Sequence, residues 1–416
     1  MRISWLTIDD ILQRTRGELR GLPMSRVILV SLLIASQSFE VSQSFSRIAS
    51  TPMWIVPAII SPLLFAGLGF AAAQARDRDD LRTFLARRLR RSWPLLVATV
   101  SITLAAIGPL ATTRDLTDYV TDTQTLAYLL NLLAFPQFRL PGVFEFNDLR
   151  DVVNPILWVA PAYLAAVLVI GISPERHRRQ IWIGVSSLCL IALAALSIAG
   201  AQLGRGTEAL AFAAPMIGGT LCALIGALAQ AYSTVLPFDW RLTAAGAAIL
   251  GVIALLGDWS WRIEPIVCAM LAIPCAYIGI WLSVRRMHGN PLWKQLQPLA
   301  APSMLVAFPI QQLVVALGPR DQNVLVNLVI SASPIALAGF VVARVLRHRW
   351  LASAREPRVW EVAEGAIVGW RRQPFSLVRL LRALGMFLLI GSIVVIATML
   401  LFALTFFALQ RDAGGV

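Results

Sequence analysis

The sequence predicts an all-α protein that crosses a membrane many times, and three observations support this class. Of the 416 residues, 57% are hydrophobic and 14% are charged, and the mean hydropathy is +0.71. The apolar residues form runs of about 20, the length that a helix needs to cross a bilayer. The net charge of +13 comes almost wholly from arginines between these runs. Such a distribution excludes the single basic face of a nucleic-acid-binding protein.

The apolar runs give eleven candidate spans. They lie at 24–42, 53–75, 93–111, 152–172, 181–200, 209–231, 241–257, 264–283, 299–317, 322–343 and 383–409. The first ten form a predicted helical bundle at 24–346. An arginine-rich interfacial segment and the eleventh span follow at 347–416.

The segment that precedes the first span is polar enough to stay outside the bilayer. Residues 1–23 alternate acids, apolar residues and Arg2, Arg14, Arg16 and Arg20. This pattern predicts an amphipathic helix on the cytoplasmic membrane surface rather than a cleavable signal.

Arginine counts predict the orientation of the spans. Cations concentrate after spans 2, 4, 8 and 10, in the stretches 76–91, 176–179, 285–294 and 344–382. The positive-inside rule puts these loops in the cytoplasm, and eleven spans then leave the carboxyl terminus outside. The long loop 112–151 faces outward. Its apolar stretch 125–135 is either a re-entrant helix or a surface lid, and the loop is either a substrate-binding element or simply solvated.

Several residues inside the spans predict packing rather than chemistry. The four cysteines all fall in apolar segments and are expected to be small buried hydrophobes. The sequence predicts no metal site. Gln311 and Gln312 should face protein or a wet cavity, because an unpaired amide is costly in hydrocarbon. Glycine and alanine in spans 2, 6 and 7 predict close helix packing.

Three motifs in order carry a resemblance to a known family. Phe84-Leu-Ala-Arg-Arg-Leu-Arg-Arg-Ser-Trp-Pro94 precedes span 3, Val153-Asn-Pro-Ile-Leu-Trp158 begins span 4, and Phe308-Pro-Ile-Gln-Gln312 lies in span 9. Together they resemble the acyltransferase type 3 superfamily of integral membrane enzymes, over about residues 20–350. The resemblance implies a bacterial inner-membrane protein that moves an acyl group from cytoplasmic acyl-coenzyme A to a glycan on the outer side.

The resemblance also implies roles for individual residues. Arg87, Arg88 and Arg91 match the arginines expected to hold coenzyme A phosphates, which suit a guanidinium fork. Asn154, Trp158 and Tyr163 fall at the outer substrate loop and the start of the following span. Acyl-coenzyme A would be a co-substrate, and no bound cofactor is implied.

The expected catalytic base is missing from this chain. The family places a histidine eleven residues after an arginine in span 1. Counting from Arg26 puts Gln37 at that position, and counting from Arg20 instead puts Ser31 there, which is no base either. An amide cannot act as a base near neutral pH. Glu40, three residues further on nearly the same helical face, could replace it if burial raised its pKa; otherwise it is a solvated acid.

The sequence therefore leaves more than one function open. The first is an O-acyltransferase with a degenerate centre at Arg26, Gln37 and Glu40. The second is a non-catalytic relative that serves as a binding or assembly subunit of an envelope complex. A secondary transporter fits the span count, but no repeat between the two halves supports it. The segment 347–416 is expected to contact anionic lipid or a partner protein.

Overall fold

The computed structural model describes residues 6–42, 52–150, 152–203, 208–257, 264–285, 291–318 and 323–346. Every regular element in these ranges is a helix, so the predicted all-α class is confirmed. The arginine-rich segment and the eleventh predicted span, at 347–416, lie outside the described residues.

The helices are numbered in chain order, and the long ones among them follow the predicted spans. The first half contains α1 (Ile8–Arg14), α2 (Leu22–Val41), α3 (Ile55–Arg76), α4 (Leu81–Ile102), α5 (Gly108–Ala111), α6 (Leu116–Thr121) and α7 (Thr123–Tyr128). The second half contains α8 (Val159–Ile172), α9 (Arg178–Leu203), α10 (Glu208–Ala231), α11 (Trp240–Leu256), α12 (Pro265–Val284), α13 (Pro291–Leu317) and α14 (Val324–Leu346).

The helices confirm a polytopic membrane protein. Within the described residues, nine helical stretches are long and apolar enough to cross a bilayer, and α11, with 17 residues, is shorter. These ten helices coincide with the first ten predicted spans. The finer prediction of a ten-span bundle plus one extra span stays a prediction.

The third span begins earlier than hydropathy predicts. The apolar run starts at residue 93, but α4 starts at Leu81, where the Asp80 side chain accepts a hydrogen bond from the Thr83 backbone N–H at 3.5 Å. Arginine and leucine are good helix formers, so the helix continues through the charged stretch. The arginines at 82–91 therefore project from a helix and not from a loop.

Two glycines, one on each helix, bring α3 and α10 into backbone contact. A Cβ on Gly69 would lie 1.9 Å from the Ala223 carbonyl oxygen, and a Cβ on Gly226 would lie 2.1 Å from that of Ala66. This confirms the close packing predicted for spans 2 and 6. The same prediction is wrong for the run 244–248 of span 7, because its four alanines are exposed on α11 and only Gly246 of that run is buried.

The charged loops meet at one end of the bundle, which we call the arginine end. Asp77, just after α3, accepts hydrogen bonds from Arg178 at the start of α9 and from Gln230 Nε2 near the end of α10, the latter at 2.8 Å. Arg76 Nε donates to the Gly171 carbonyl of α8 at 2.9 Å. Loops that the arginine count groups together are thus neighbours in space.

The amino-terminal segment also lies at the arginine end and packs on protein. The Ile8 N–H donates to the Leu236 carbonyl at 3.0 Å, and the Gly21 N–H donates to the Ser283 carbonyl at 3.1 Å. Ile8 and Leu12 are buried in a cluster with side chains of α3, α10 and α12. This contact covers Ile8 and Leu12, two residues of the apolar side that predicts a membrane-surface helix.

The long loop at the opposite end folds into short helices. Its apolar stretch 125–135 forms most of α7 and a 3₁₀ turn at 129–133. Tyr119 of α6 donates its hydroxyl to the Leu104 carbonyl at 3.0 Å, within the π-helical turn Thr103–Ile107. The loop is therefore anchored to the end of span 3.

Candidate functional site

A cavity of about 150 Å³ lies between six helical segments in the half of the bundle away from the arginine end. Its wall includes Gln37 and Glu40 from the last turns of α2, together with the first two turns of α3. The turn 155–158 and the helices α10, α12 and α13 complete it, through Trp158, Phe212, Cys268 and Phe308 among others. A cavity of this size holds a molecule about as large as benzene.

Gln37 is the most constrained polar group in the cavity wall. Its side chain is 3% exposed, and its Oε1 atom is buried without a hydrogen-bond partner. Glu40, half-buried, lines the cavity one turn further along the same side of α2. The face predicted from the spacing of these two residues is thus the one that meets the cavity.

Trp158 is held in the wall by stacking. Its ring lies 5.8 Å from the ring of Phe65, at an interplanar angle of 17°. Gly219 of α10 leaves room for this pair, because a Cβ there would lie 3.1 Å from an atom of each ring. The Trp158 ring is therefore fixed in place before any ligand enters.

Two further buried amides lie beside the cavity. Asn154 Nδ2 donates to the Leu305 carbonyl at 2.8 Å, and Gln311 Nε2 donates to the Ile34 carbonyl and to Ser38 Oγ, both at 2.9 Å. The carbonyl oxygens of both amides are buried without partners. Because the NH₂ groups face acceptors, the unpartnered atoms are hydrogen-bond acceptors.

Gln311 and Gln312 confirm the prediction that span 9 buries its amides in protein. The Asn327 side chain of α14 accepts from Ser38 Oγ at 3.1 Å and donates to the backbone carbonyl of Gln311 at 3.1 Å. Gln312 Oε1 accepts from Asn147 Nδ2 at 2.6 Å, which ties α13 to the long loop. These bonds hold α2, α13 and α14 together next to Gln37.

A second polar site lies nearer the arginine end, and we call it the arginine cluster. It consists of Arg26 on α2 and of three side chains that interact electrostatically with it: Arg88 and Arg91 on α4, and Tyr163 on α8. Arg26 Nε is buried and has no hydrogen-bond partner. Arg26, with its unsatisfied donor, and the two like charges near it form a site that an anion would stabilise.

The members of the arginine cluster differ in how firmly they are held. Arg88 is half-buried, donates to the Ala71 carbonyl at 3.2 Å and lies over the Phe84 ring. Arg91 is exposed. Arg87 lies elsewhere: its exposed side chain forms an ion pair at 2.9 Å with Asp79, which is half-buried.

The structure thus divides the predicted site residues between two places. Gln37, Glu40 and Trp158 line the cavity, and Asn154 lies beside it. Arg26, Arg88, Arg91 and Tyr163 form the arginine cluster, and the structure places Arg87 in neither. Sequence reasoning missed the cavity residues Ser61, Phe212, Cys268 and Phe308, which belong to different spans and share no local pattern.

Within the ranges that the structure describes, no three His, Cys, Asp or Glu side chains are arranged to hold a metal ion. The four cysteines are free thiols in apolar surroundings; Cys222 and Cys275 are buried, and Cys189 and Cys268 are half-buried. Cys268 alone among them lines the cavity.

Comparisons with protein-family models, with curated proteins and with solved structures found no significant match.

Proposed function

We propose that this membrane protein binds acyl-coenzyme A at the arginine cluster and transfers its acyl group to an acceptor in the cavity, as acyltransferase type 3 enzymes do. The acceptor group would belong to a glycan of the cell envelope or to an exported glycan. The arginine end would face the cytoplasm, in keeping with the positive-inside rule.

The observation that carries the proposal is the arrangement of polar residues along α2. Arg26 belongs to the arginine cluster, and Gln37 and Glu40 line the cavity. Eleven residues are almost three whole turns, so Arg26 and Gln37 lie on one face, about 16 Å apart along the axis. One helix therefore joins an anion site to a cavity for a small molecule.

The arginine cluster suits the phosphates of coenzyme A. A phosphate oxygen can accept from the unsatisfied Arg26 Nε, and Arg88 and Arg91 can add charge-assisted hydrogen bonds. Tyr163, the member of the cluster on α8, packs against buried side chains of α3, α10 and α12, the helices that also form the cavity wall. A chain running from the cluster along α2 would reach Gln37.

Glu40 is the group that could replace the missing histidine. It lies in the cavity wall with Gln37, and a carboxylate within reach of an acceptor proton can act as a general base. In this proposal, Arg26 holds the donor, Gln37 orients the acceptor and Glu40 takes the proton.

A non-catalytic binding protein is the second candidate, and Gln37 favours it. The amide at the position expected for the base does not titrate, and it is buried at the cavity surface. Such a protein would bind the same ligands and assemble with other envelope proteins, without turnover.

One experiment separates the two candidates. The full-length protein, in lipid nanodiscs, is mixed with acetyl-coenzyme A and an envelope glycan extract, and both the affinity for acetyl-coenzyme A and the release of its free thiol are measured. The enzyme predicts binding and release, with release lost in Glu40→Gln. The non-catalytic protein predicts binding without release. Absence of binding would contradict both.

A further inference from the structure

The long loop exposes a row of leucines just after α6. Leu126, Leu129, Leu130 and Leu133 are 57%, 43%, 41% and 64% exposed. They are three or four residues apart, so they share one face of α7 and of the 3₁₀ turn that continues it. The sequence has no charged residue from position 123 to position 138. Four exposed leucines on one face, with no charge among them, form an apolar patch that marks a contact surface.

The opposite face of the same segment packs against the bundle. Thr125, Tyr128 and Asn131 are buried. Tyr128 and the half-buried Leu132 belong to a cluster that contains Val100 of α4. The four leucines are not among the described residues that line the cavity, so they do not form a lid over it. A helical segment that is apolar on both of its faces is typical of a core or a membrane interior.

The segment lies beside span 3, well inside the end of that span. Span 3 is one helical stretch from Leu81 to Ala111, and the 3₁₀ turn Leu129–Leu133 packs against its first part, α4, which ends at Ile102. Ile102 precedes Ala111 by about 13 Å along the axis. The chain that leaves the span therefore turns back toward the middle of the bundle. Because the hydrocarbon core of a bilayer is about 30 Å thick, this level falls within it.

The polar groups at the end of the turn bond within the protein. Asn131 Nδ2 donates to the carbonyls of Tyr128 at 2.8 Å and Gln137 at 2.9 Å, and its Oδ1 accepts from the Gln137 N–H at 2.9 Å. The Phe135 N–H donates to the Leu130 carbonyl at 3.0 Å. Water would bond to these backbone groups in a solvated loop, but hydrocarbon cannot. A buried amide that bonds to three backbone groups therefore suits a turn surrounded by lipid.

The chain that follows the turn reaches the cavity wall. The Phe138 ring stacks on the ring of Phe212, with centroids 3.8 Å apart and an interplanar angle of 25°, and Phe212 lines the cavity. The Phe138 carbonyl accepts from the Val153 N–H at 2.7 Å. The leucine segment is thus held at both ends, by span 3 and by the helices around the cavity.

We propose that residues 126–133 form a re-entrant element that enters the bilayer from the end opposite the arginine end, with the four leucines in contact with lipid acyl chains. The sequence allows either a re-entrant helix or a lid here, and depth and packing favour the first. Asp115, Asp118 and Asp122 precede the segment, on α6 and at its end, where they can stay in water. The proposal does not depend on the proposed acyl transfer.

Nitroxide labels on single introduced cysteines test the lipid contact. The full-length protein is reconstituted as one copy per nanodisc of phosphatidylcholine and phosphatidylglycerol, and the signal of the unaltered protein, which has four cysteines of its own, is subtracted. The measured quantity is the ratio of two collision rates of the label. One is with oxygen, which concentrates in hydrocarbon, and the other is with a polar nickel chelate, which stays in water.

The ratio is compared at three exposed positions. Leu188→Cys places a label on the lipid-facing surface of α9, where the native side chain is 62% exposed, and Thr117→Cys places one beside the acids of α6. We expect the ratio at Leu133→Cys to be within about twofold of that at Leu188→Cys and at least about tenfold above that at Thr117→Cys. A ratio at Leu133→Cys no higher than at Thr117→Cys would place the leucines in water and overturn the proposal.

A fourth label tests the direction in which the segment runs. Leu126→Cys lies about one turn after Asp122, whereas Leu133→Cys lies at the far end of the turn beside α4. The ratio should therefore rise from position 126 to position 133. Equal ratios, or a higher one at position 126, would show that the segment lies along the membrane surface and does not enter the bilayer.

Slow collision with both reagents at position 133 would contradict the proposal in another way, because it would place the leucines against protein. A second copy of the chain cannot cause such protection, since each nanodisc holds one copy. Each labelled protein must keep the thermal midpoint of the unaltered protein. If the label at position 133 lowers that midpoint, Leu130→Cys on the same face repeats the test.

Discussion

Arg26 and Gln37 lie on the same face of α2, about three turns apart, and each buries a polar atom that has no hydrogen-bond partner among the described residues. Arg26 offers a donor and Gln37 an acceptor. An unpaired buried group of this kind costs about 1–3 kcal/mol, so two of them on one helix face need an explanation. A ligand that accepts a hydrogen bond at Arg26 and one that donates a hydrogen bond at Gln37 would satisfy both groups.

Arg88→Ala should weaken acetyl-coenzyme A binding by tenfold or more. The substitution removes a guanidinium from the arginine cluster and leaves Arg26 Nε with less support for an anion. Calorimetry on the nanodisc-embedded protein measures the change, which should shrink as salt is added. Arg87→Ala is the matched control, because the Arg87 side chain is exposed and pairs with Asp79 outside the arginine cluster. Equal losses in both variants would argue against a specific cluster.

Gln37→His should raise the rate of coenzyme A release with a hydroxyl acceptor. A histidine titrates near neutral pH and would supply general-base catalysis, which contributes roughly 10²–10⁴-fold in enzymes. The measurement is free thiol release with cyclohexanol, compared with Gln124→His, which places the same residue on an exposed surface of the long loop. Unchanged release would show that position 37 does not contact the reacting group.

The sequence alone predicted which polar residues share a helix face, but it could not predict which helices meet. Gln37 and Glu40 fall on one face because helical spacing fixes it, and the cavity bears this out. Phe212 and Cys268 reach the same cavity from α10 and α12, through contacts that no local pattern encodes. The start of α4 at Leu81 was missed for another reason: hydropathy finds the apolar part of a helix, and helix propensity decides where the helix begins.

Gly69→Ala should destabilise the protein by roughly 1–3 kcal/mol or more, as overpacking does. The new methyl group would lie 1.9 Å from the Ala223 carbonyl oxygen, so α3 and α10 would have to separate. Gly184→Ala on α9 is the control, because no atom lies within 4 Å of its added Cβ. There the better helix propensity of alanine should stabilise by about 0.5–1 kcal/mol. Unfolding in a denaturing detergent compares the two, and a stable Gly69→Ala protein would contradict the contact.

Acid should release the amino-terminal helix. A backbone hydrogen bond from Thr7, with a second from its hydroxyl, lowers the pKa of Asp10 below its usual 3.8. Because the pKa of Asp10 is lower in the folded state than in the unfolded state, its carboxylate stabilises the segment at pH values above the unfolded-state pKa. This stabilisation is lost as the pH falls through the folded-state pKa. Hydrogen exchange of the α1 amides, corrected for intrinsic rates, should therefore increase relative to the bundle at about pH 3.

Asp10→Asn should make the same amides exchange faster at pH 7 and remove the pH dependence. The neutral amide is a weaker acceptor for the Thr7 N–H, and it does not titrate. Asp9→Asn is a useful comparison, because Asp9 accepts from the Gln13 side chain on the exposed side of the helix. If Asp10→Asn exchanges like the unaltered protein, the capping interaction does not hold this segment in place.

The docking of the amino terminus also sets an order of assembly during synthesis. The Ile8 N–H bonds to the Leu236 carbonyl, and the Gly21 N–H bonds to the Ser283 carbonyl, so both residues must wait for partners that are synthesised more than two hundred residues later. At about 5–20 residues per second, that wait lasts roughly 10–50 s. During this time the apolar side of α1 has no protein to cover it, which makes the nascent chain open to chaperones and to the membrane surface. The α1 segment therefore reaches its place in the bundle only after α10 and α12 have been synthesised.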